Sequence, residues 1–230
     1  MSAPPLERDA ARSAAEHVLE HPGADGVEVV LAGSSTGLTR YAGSQIIQNT
    51  ARDEVRAYVR VHVGSRLGSA TTNQLDREHM QRAADRALEA ARASLEDPEF
   101  PGYPDPDVVG RPEPVMRWDD ATAAATPAER AAVVRGILKA AAADNAAGYY
   151  ETSAHAFSVF SSTGVDCYDA YTRCVVTCLV DLDDATGWGE ASCFSVATVD
   201  PEAAARRAMG KARAGSGVVG ADPGVYEVVL

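Results

Sequence analysis

Residues 55–63 alternate without a break. Val55, Ala57, Val59, Val61 and Val63 fall on one side, and Arg56, Tyr58, Arg60 and His62 on the other. A two-residue repeat is the signature of a strand with one buried and one wet face, which is usual in antiparallel sheets. A second alternation sets Cys174, Val176, Cys178, Val180 and Leu182 against Val175, Thr177, Leu179 and Asp181. Each alternation runs through a glycine-bearing turn into Gly68-Ser69-Ala70 or Gly189-Glu190-Ala191. An alanine-rich helix then follows, from Asp76 or Asp200. The chain must therefore pack hairpins against helices. The expected class is α+β: two related units of antiparallel β-sheet with packed helices, arising by internal duplication.

The remaining elements follow from periodicity and punctuation. Ala10, Ala14 and Val18 predict a helix over 6–20, stopped by Pro22-Gly23. Val27, Val29 and Leu31 predict a strand, Ser34-Ser35-Thr36-Gly37 a turn, and 45–49 a further extended stretch. Met80, Ala84, Ala87, Leu88, Ala91 and Leu95 make one apolar stripe of a helix over 76–95, with Asp76 as its cap and Asp97-Pro98 as its exit. In the second half, Thr126-Pro127-Ala128-Glu129 is a capping box that opens a helix with Val134, Ile137, Leu138 and Ala141 inward. Strands are predicted over 155–160, 165–171, 173–182 and 190–196, and a last helix from 200 to about 215. The expected organisation is a sheet-plus-helix domain over 1–98, a Pro/Asp-rich connection over 99–122 and a second sheet-plus-helix domain over 123–230. Ser35-Thr36-Gly37 and Ser162-Thr163-Gly164 are the expected matching markers of the duplication.

A formal net charge of −12 over 230 residues argues against nucleic acid or anionic membrane surfaces as partners. No apolar run is long enough to span a bilayer, and the first residues lack the basic and apolar regions of a signal peptide, so the cytoplasm is the expected compartment. Cys167, Cys174, Cys178 and Cys193 fit reduced thiols. Four residues of strand separate Cys174 from Cys178 by roughly 13 Å, beyond the reach of a disulfide. The final residues, Val225 to Leu230, read as an apolar strand without a polar tail, and the expectation is a truncated chain or a paired end.

Several motifs invite chemistry. His17-Val18-Leu19-Glu20-His21 has the spacing of an inverted zinc-peptidase helix, since two histidines four residues apart share a helix face. Pro22-Gly23 follows at once and no third-ligand helix is evident, so no metal site is assigned. Gly215-Ser216-Gly217-Val218-Val219-Gly220 has the glycine spacing of a dinucleotide loop, but a helix precedes it where a strand is required. Asp181, Asp183 and Asp184 cluster at a turn without the spacing of a calcium loop. Ser161-Ser162 has no nucleophile elbow or paired histidine, and His79 and His155 stand alone. Arg56, Tyr58, Arg60 and His62 form a polar sheet face that is either solvated or the wall of a peptide groove. No catalytic residue is assigned, and the substrate-binding residues are unknown.

Tyr41-Ala42-Gly43-Ser44-Gln45-Ile46-Ile47-Gln48-Asn49 resembles an early strand of the TldD/PmbA metallopeptidase family. The hairpin of 59–72, ending Gly68-Ser69-Ala70-Thr71-Thr72, is similar to that family's glycine hairpin, and 83–98 to its alanine-rich helix and Asp-Pro exit. Ser161-Ser162-Thr163-Gly164 stands where the family has an Asn-Ser-x-Gly-like turn, and 223–230 resembles the lead into a C-terminal domain. The Gly-Ser-Ala-Thr-Thr segment is nearer to the PmbA, or TldE-like, branch. The resemblance implies the N-terminal portion of a peptide-degrading metallopeptidase, forming part of a substrate chamber and subunit interface. It implies hetero- or homo-oligomers with a TldD-like or PmbA-like subunit, and zinc held on an H-E-x-x-x-H helix in the full-length protein or the partner. The C-terminal domain is expected to be missing from this chain. The alternative is a non-catalytic regulatory or scaffolding subunit that partners a zinc-bearing TldD-like protease.

Overall fold

The structure, a computed structural model, describes residues 2–110, 117–217, 220 and 222–227. The first half runs α1 (Arg8–Glu16), β1 (Gly26–Ala42), β2 (Gln45–Val63), β3 (Arg66–Thr72) and α2 (Arg77–Ala93). Two single turns follow, α3 (Pro106–Val109) and α4 (Asp120–Ala123). The second half runs α5 (Pro127–Ala141), β4 (Ala146–Ser161), β5 (Asp166–Leu182), β6 (Ala185–Cys193) and α6 (Pro201–Gly215). The strands form one antiparallel sheet in the order β3-β2-β1-β4-β5-β6. Pairing of β1 with β4, from Glu28 opposite Ser161 to Tyr41 opposite Gly148, joins the halves across its centre. Both halves show the same element order, helix, three strands, helix.

Helices cover one face. Val27, Val29 and Leu31 of β1 and Ala57, Val59 and Val61 of β2 are buried under Ala11, Ala14 and Ala15 of α1 and Met80, Ala84 and Ala87 of α2. Further along the same face, Cys174, Val176, Cys178 and Val180 of β5 are buried under α5 and α6. The alternations at 55–63 and 174–182 thus point inward as their sequence predicts. The Thr126 capping box on Glu129 and the Asp76 cap on the His79 amide are both formed.

Small residues bring the second-half and first-half terminal helices unusually near their strands. A Cβ on Gly68 would stand 2.2 Å from Ala87 O and Ala91 N of α2. A Cβ on Gly187 would stand 1.9 Å from Ala208 O, and one on Gly189 1.9 Å from Ala204 O, both on α6. Glycine on the strand and alanine on the helix let backbone meet backbone on both edge strands.

The structure corrects several expectations. Residues 34–37 do not turn; they lie inside β1. β1 has a neighbour on each side, so its peptides are paired with β2 and β4, and this ladder overrides the turn preference of Ser-Ser-Thr-Gly. The chain reverses instead at Gly43 and Ser44, both in the left-handed region. Ser162-Thr163-Gly164 does form the β4–β5 turn, so the two Ser-Thr-Gly markers are not equivalent. β5 is continuous across Thr172, where two strands were expected. α1 ends at Glu16 rather than 20, and Leu95 lies past the end of α2, 90% exposed. Residues 225–227 are not in a strand, and 228–230 of the expected final strand lie outside the described residues.

β3 covers only residues 57–63 of β2, so 45–56 form an edge that projects beyond it. Ile46 and Ile47 are exposed there.

Gly68→Ala and Gly189→Ala should each lower stability by about 1–3 kcal/mol in urea denaturation, because an added methyl meets helix backbone that cannot move aside. Gly210→Ala, within α6 and with open space at its Cβ position, should instead raise it by about 0.5–1 kcal/mol.

Candidate functional site

The face of the sheet opposite the helices gathers the side chains that the helices do not use. Strand register places them in rows. Arg56, Ala32, Phe157 and Asp169 cross the sheet in one row, Glu54, Ser34, His155 and Tyr171 in the next. A cavity of about 280 Å³ lies among Glu54, Arg56, Tyr58, His155, Phe157 and Tyr171. Tyr58 and Phe157 are exposed, as are Trp188 and Phe194 farther along the face and just beyond β6.

The aromatic side chains are held by polar neighbours. His155 stacks on Tyr171 with ring centroids 4.8 Å apart, and its Nε2 lies 3.0 Å from Ser153 Oγ. The Arg117 guanidinium sits 6.0 Å from the Tyr171 ring centre and 5.9 Å from that of Phe194, and pairs with Asp169. Such placements combine cation–π attraction with an ion pair. Burial, and secondarily the nearby Arg173 charge, pull the His155 pKa below its ordinary value. At the other end of the face, Arg60 bonds Glu28 at 2.6 Å and approaches the Tyr103 ring. Burial pushes the Tyr103 phenol up to about 12. The face can therefore offer flat apolar rings, both signs of charge and hydroxyls to an extended chain lying across it.

The residues singled out in the sequence scatter. His17, Glu20 and His21 follow the end of α1, and His21 Nε2 lies 3.0 Å from Asp85. His79 pairs with the cap residue Asp76. Of the polar face on β2, Arg56 and Tyr58 border the cavity, whereas His62 packs edge-on against Phe100 and Tyr103. Ser161 Oγ accepts from the Val165 amide and Ser162 Oγ from the Val27 amide, so both brace the β4–β5 turn. Asp184 accepts from the Gly217 amide and Asp181 from Asn145. Val218 and Val219 of the glycine-spaced motif lie outside the described residues. All four cysteines are free thiols; Cys174 stands opposite Cys193 across the β5–β6 ladder, and burial raises its pKa to about 11. No cluster of three or more His, Cys, Asp or Glu suited to a metal occurs among the described residues.

Residues 27–91 match the family model for PmbA/TldA metallopeptidase domain 1. In this segment the chain is similar to the first domain of the PmbA/TldA metallopeptidases. The matched segment runs from the start of β1 through the glycine hairpin to α2. No curated protein matches the chain. Solved structures share the fold of this chain. TldE from Thermococcus kodakarensis superposes with a TM-score of 0.72 at 17% identity, over 89% of this chain and 46% of that one. A candidate modulator of DNA gyrase from Bacteroides thetaiotaomicron gives 0.77 at 15% identity, over 89% and 49%. A second such candidate modulator, from Thermotoga maritima, gives 0.63 at 14%, over 82% and 44%. The chain thus spans about half the length of the structures it matches.

Sequence reasoning missed Phe157, Tyr171 and Phe194 as parts of this face. The period-two run Tyr149, Glu151, Ser153, His155, Phe157, Val159 carries the signal for β4, but its outward side was hidden until register placed Tyr171 beside it.

Because His155 has a depressed pKa in the fold, protonation favours the unfolded chain. Its contribution is intact above about pH 6.5 and declines as pH falls below that value. His155→Gln should lessen the drop in urea midpoint between about pH 7.5 and about pH 5.5.

Proposed function

We propose that this chain is the N-terminal portion of a TldD/PmbA-type metallopeptidase involved in peptide proteolysis, and that its open sheet face forms one wall of the substrate chamber. The observation that carries this reading is the 280 Å³ cavity bordered by Tyr58, Phe157, Tyr171 and His155 on the sheet face opposite the helices. Alternating rings and charges at strand spacing suit an extended peptide, whose side chains also repeat every two residues. The described residues do not supply a zinc-binding set, since His17 and His21 leave the helix and His21 faces Asp85. No step of hydrolysis is therefore assigned to them. In this reading the zinc is held by side chains of the full-length protein or of a TldD-like or PmbA-like partner subunit, in the cytoplasm. The units 1–98 and 123–230 are read as products of duplication, on the strength of their common element order and the matching glycine–helix contacts at Gly68 and Gly189.

The test is cleavage of an unfolded peptide with zinc present. The chain alone should be inactive, and mixing it with a zinc-bearing TldD-like subunit should produce cleavage. Tyr171→Ala and Phe157→Ala should each lower kcat/KM of the mixture by on the order of 10-fold. Turnover by the purified chain alone, or a mixture indifferent to both substitutions, would refute the reading.

A further inference from the structure

On the helix-covered side, away from the face discussed above, a cavity of about 290 Å³ lies between α4, the first turns of α5 and α6, and β4. Val133, Val196 and Pro201 give it apolar walls, and Arg130, Tyr150, Thr152 and Glu129 its polar side. Arg130 is only 3% exposed. One of its nitrogens, Nη1, donates to Ala125 O at 2.8 Å and to Thr152 Oγ1 at 3.3 Å. Its Nε is buried without a partner. It forms no ion pair with a carboxylate among the described residues.

The neighbouring carboxylate is otherwise engaged. Glu129 Oε2 accepts from Thr126 N at 2.7 Å and from Thr126 Oγ1 at 2.8 Å, closing the capping box. The guanidinium cannot retreat toward the sheet, because it lies against the bare backbone of Gly37. A Cβ at that position would stand 2.3 Å from Arg130 Cζ. A cation fixed in this way, desolvated and without a direct ion pair, its adjacent Glu129 carboxylate being held by the capping box, is stabilised when a carboxylate arrives against its free donor. Guanidinium presents parallel donors that match a carboxylate.

We propose that this cavity binds a small monocarboxylate with an apolar body. The carboxylate meets Arg130, with Thr152 and Tyr150 beside it, and the body lies against Val133, Val196 and Pro201. A doubly charged phosphate suits the site less well. It would meet one cation, with the capping carboxylates of Glu129 and Asp200 close by on α5 and α6.

Benzoate is a suitable probe and benzamide its neutral isostere. Titration of the whole chain, followed through the Arg130 Nε–Hε resonance and the melting temperature, should saturate with a Kd on the order of 1 mM for benzoate. Benzamide should bind at least about 10-fold more weakly. Arg130→Gln should abolish benzoate binding. Val133→Phe keeps the guanidinium but fills the volume, and should weaken binding too. The proposal fails if the wild-type chain shows no saturable shift at Arg130, or if benzamide binds as well as benzoate. Retained affinity in either variant would overturn it equally. Should Arg130→Gln not fold, the benzamide comparison and Val133→Phe still decide.

Discussion

Pairing of β1 on both sides is the constraint on which the rest of this molecule depends. From Glu28 to Tyr41 nearly every residue of that strand has one partner on β2 and another on β4. A strand so placed has no free edge, and its backbone polar groups are met within the sheet. It can then tolerate small and flexible residues that would not hold a strand by their own preference. Gly33 and Gly37 use that freedom. Leu6 and Arg130 lie where their side chains would be. The N-terminal segment and α5 are both seated on the sheet through gaps in this one strand.

The same seam explains the division of labour between the two faces. Four of the long strands run side by side, and helices from both halves are needed to cover one surface of them. Alanine dominates those helices: Ala83, Ala84, Ala87 and Ala91 of α2, and Ala204, Ala205, Ala208 and Ala212 of α6, are all buried. Short side chains let α2 and α6 lie close against the strands. What remains on the opposite face is a broad platform of Tyr58, Phe157, Tyr171, His155 and charged neighbours, which carries the proposed peptide-facing role.

Much of this was legible in the chain itself. Strict alternation gave the inward sides of β2 and β5, and cap chemistry located α2, α5 and α6, because both signals are local. The extent of β1 was not legible. Ser34, Ser35, Thr36 and Gly37 prefer turns, and only the non-local partners at 51–54 and 152–155 hold them extended. For the same reason the Ser-Thr-Gly markers expected of a repeat were misplaced, although the two halves share an element order. The candidate face suffered most. Arg56 and Tyr58 could be read as outward, yet their neighbours come from β4 and β5, separated from them by about a hundred residues. The cation at Arg130 was equally hidden, since in sequence it is an ordinary helix residue, and only its approach to Gly37 makes it a buried one.

The projecting part of β2 carries a consequence for how the molecule breathes. Over residues 45–56 the strand has a neighbour on one side only, so alternate amides point at β1 and at solvent. Deuterium uptake along this stretch is expected to rise and fall with a two-residue beat, slow where an amide is bonded to β1 and fast where it faces water. Arg52, Asp53 and Glu54 are exposed on the same stretch and keep its open rim hydrated.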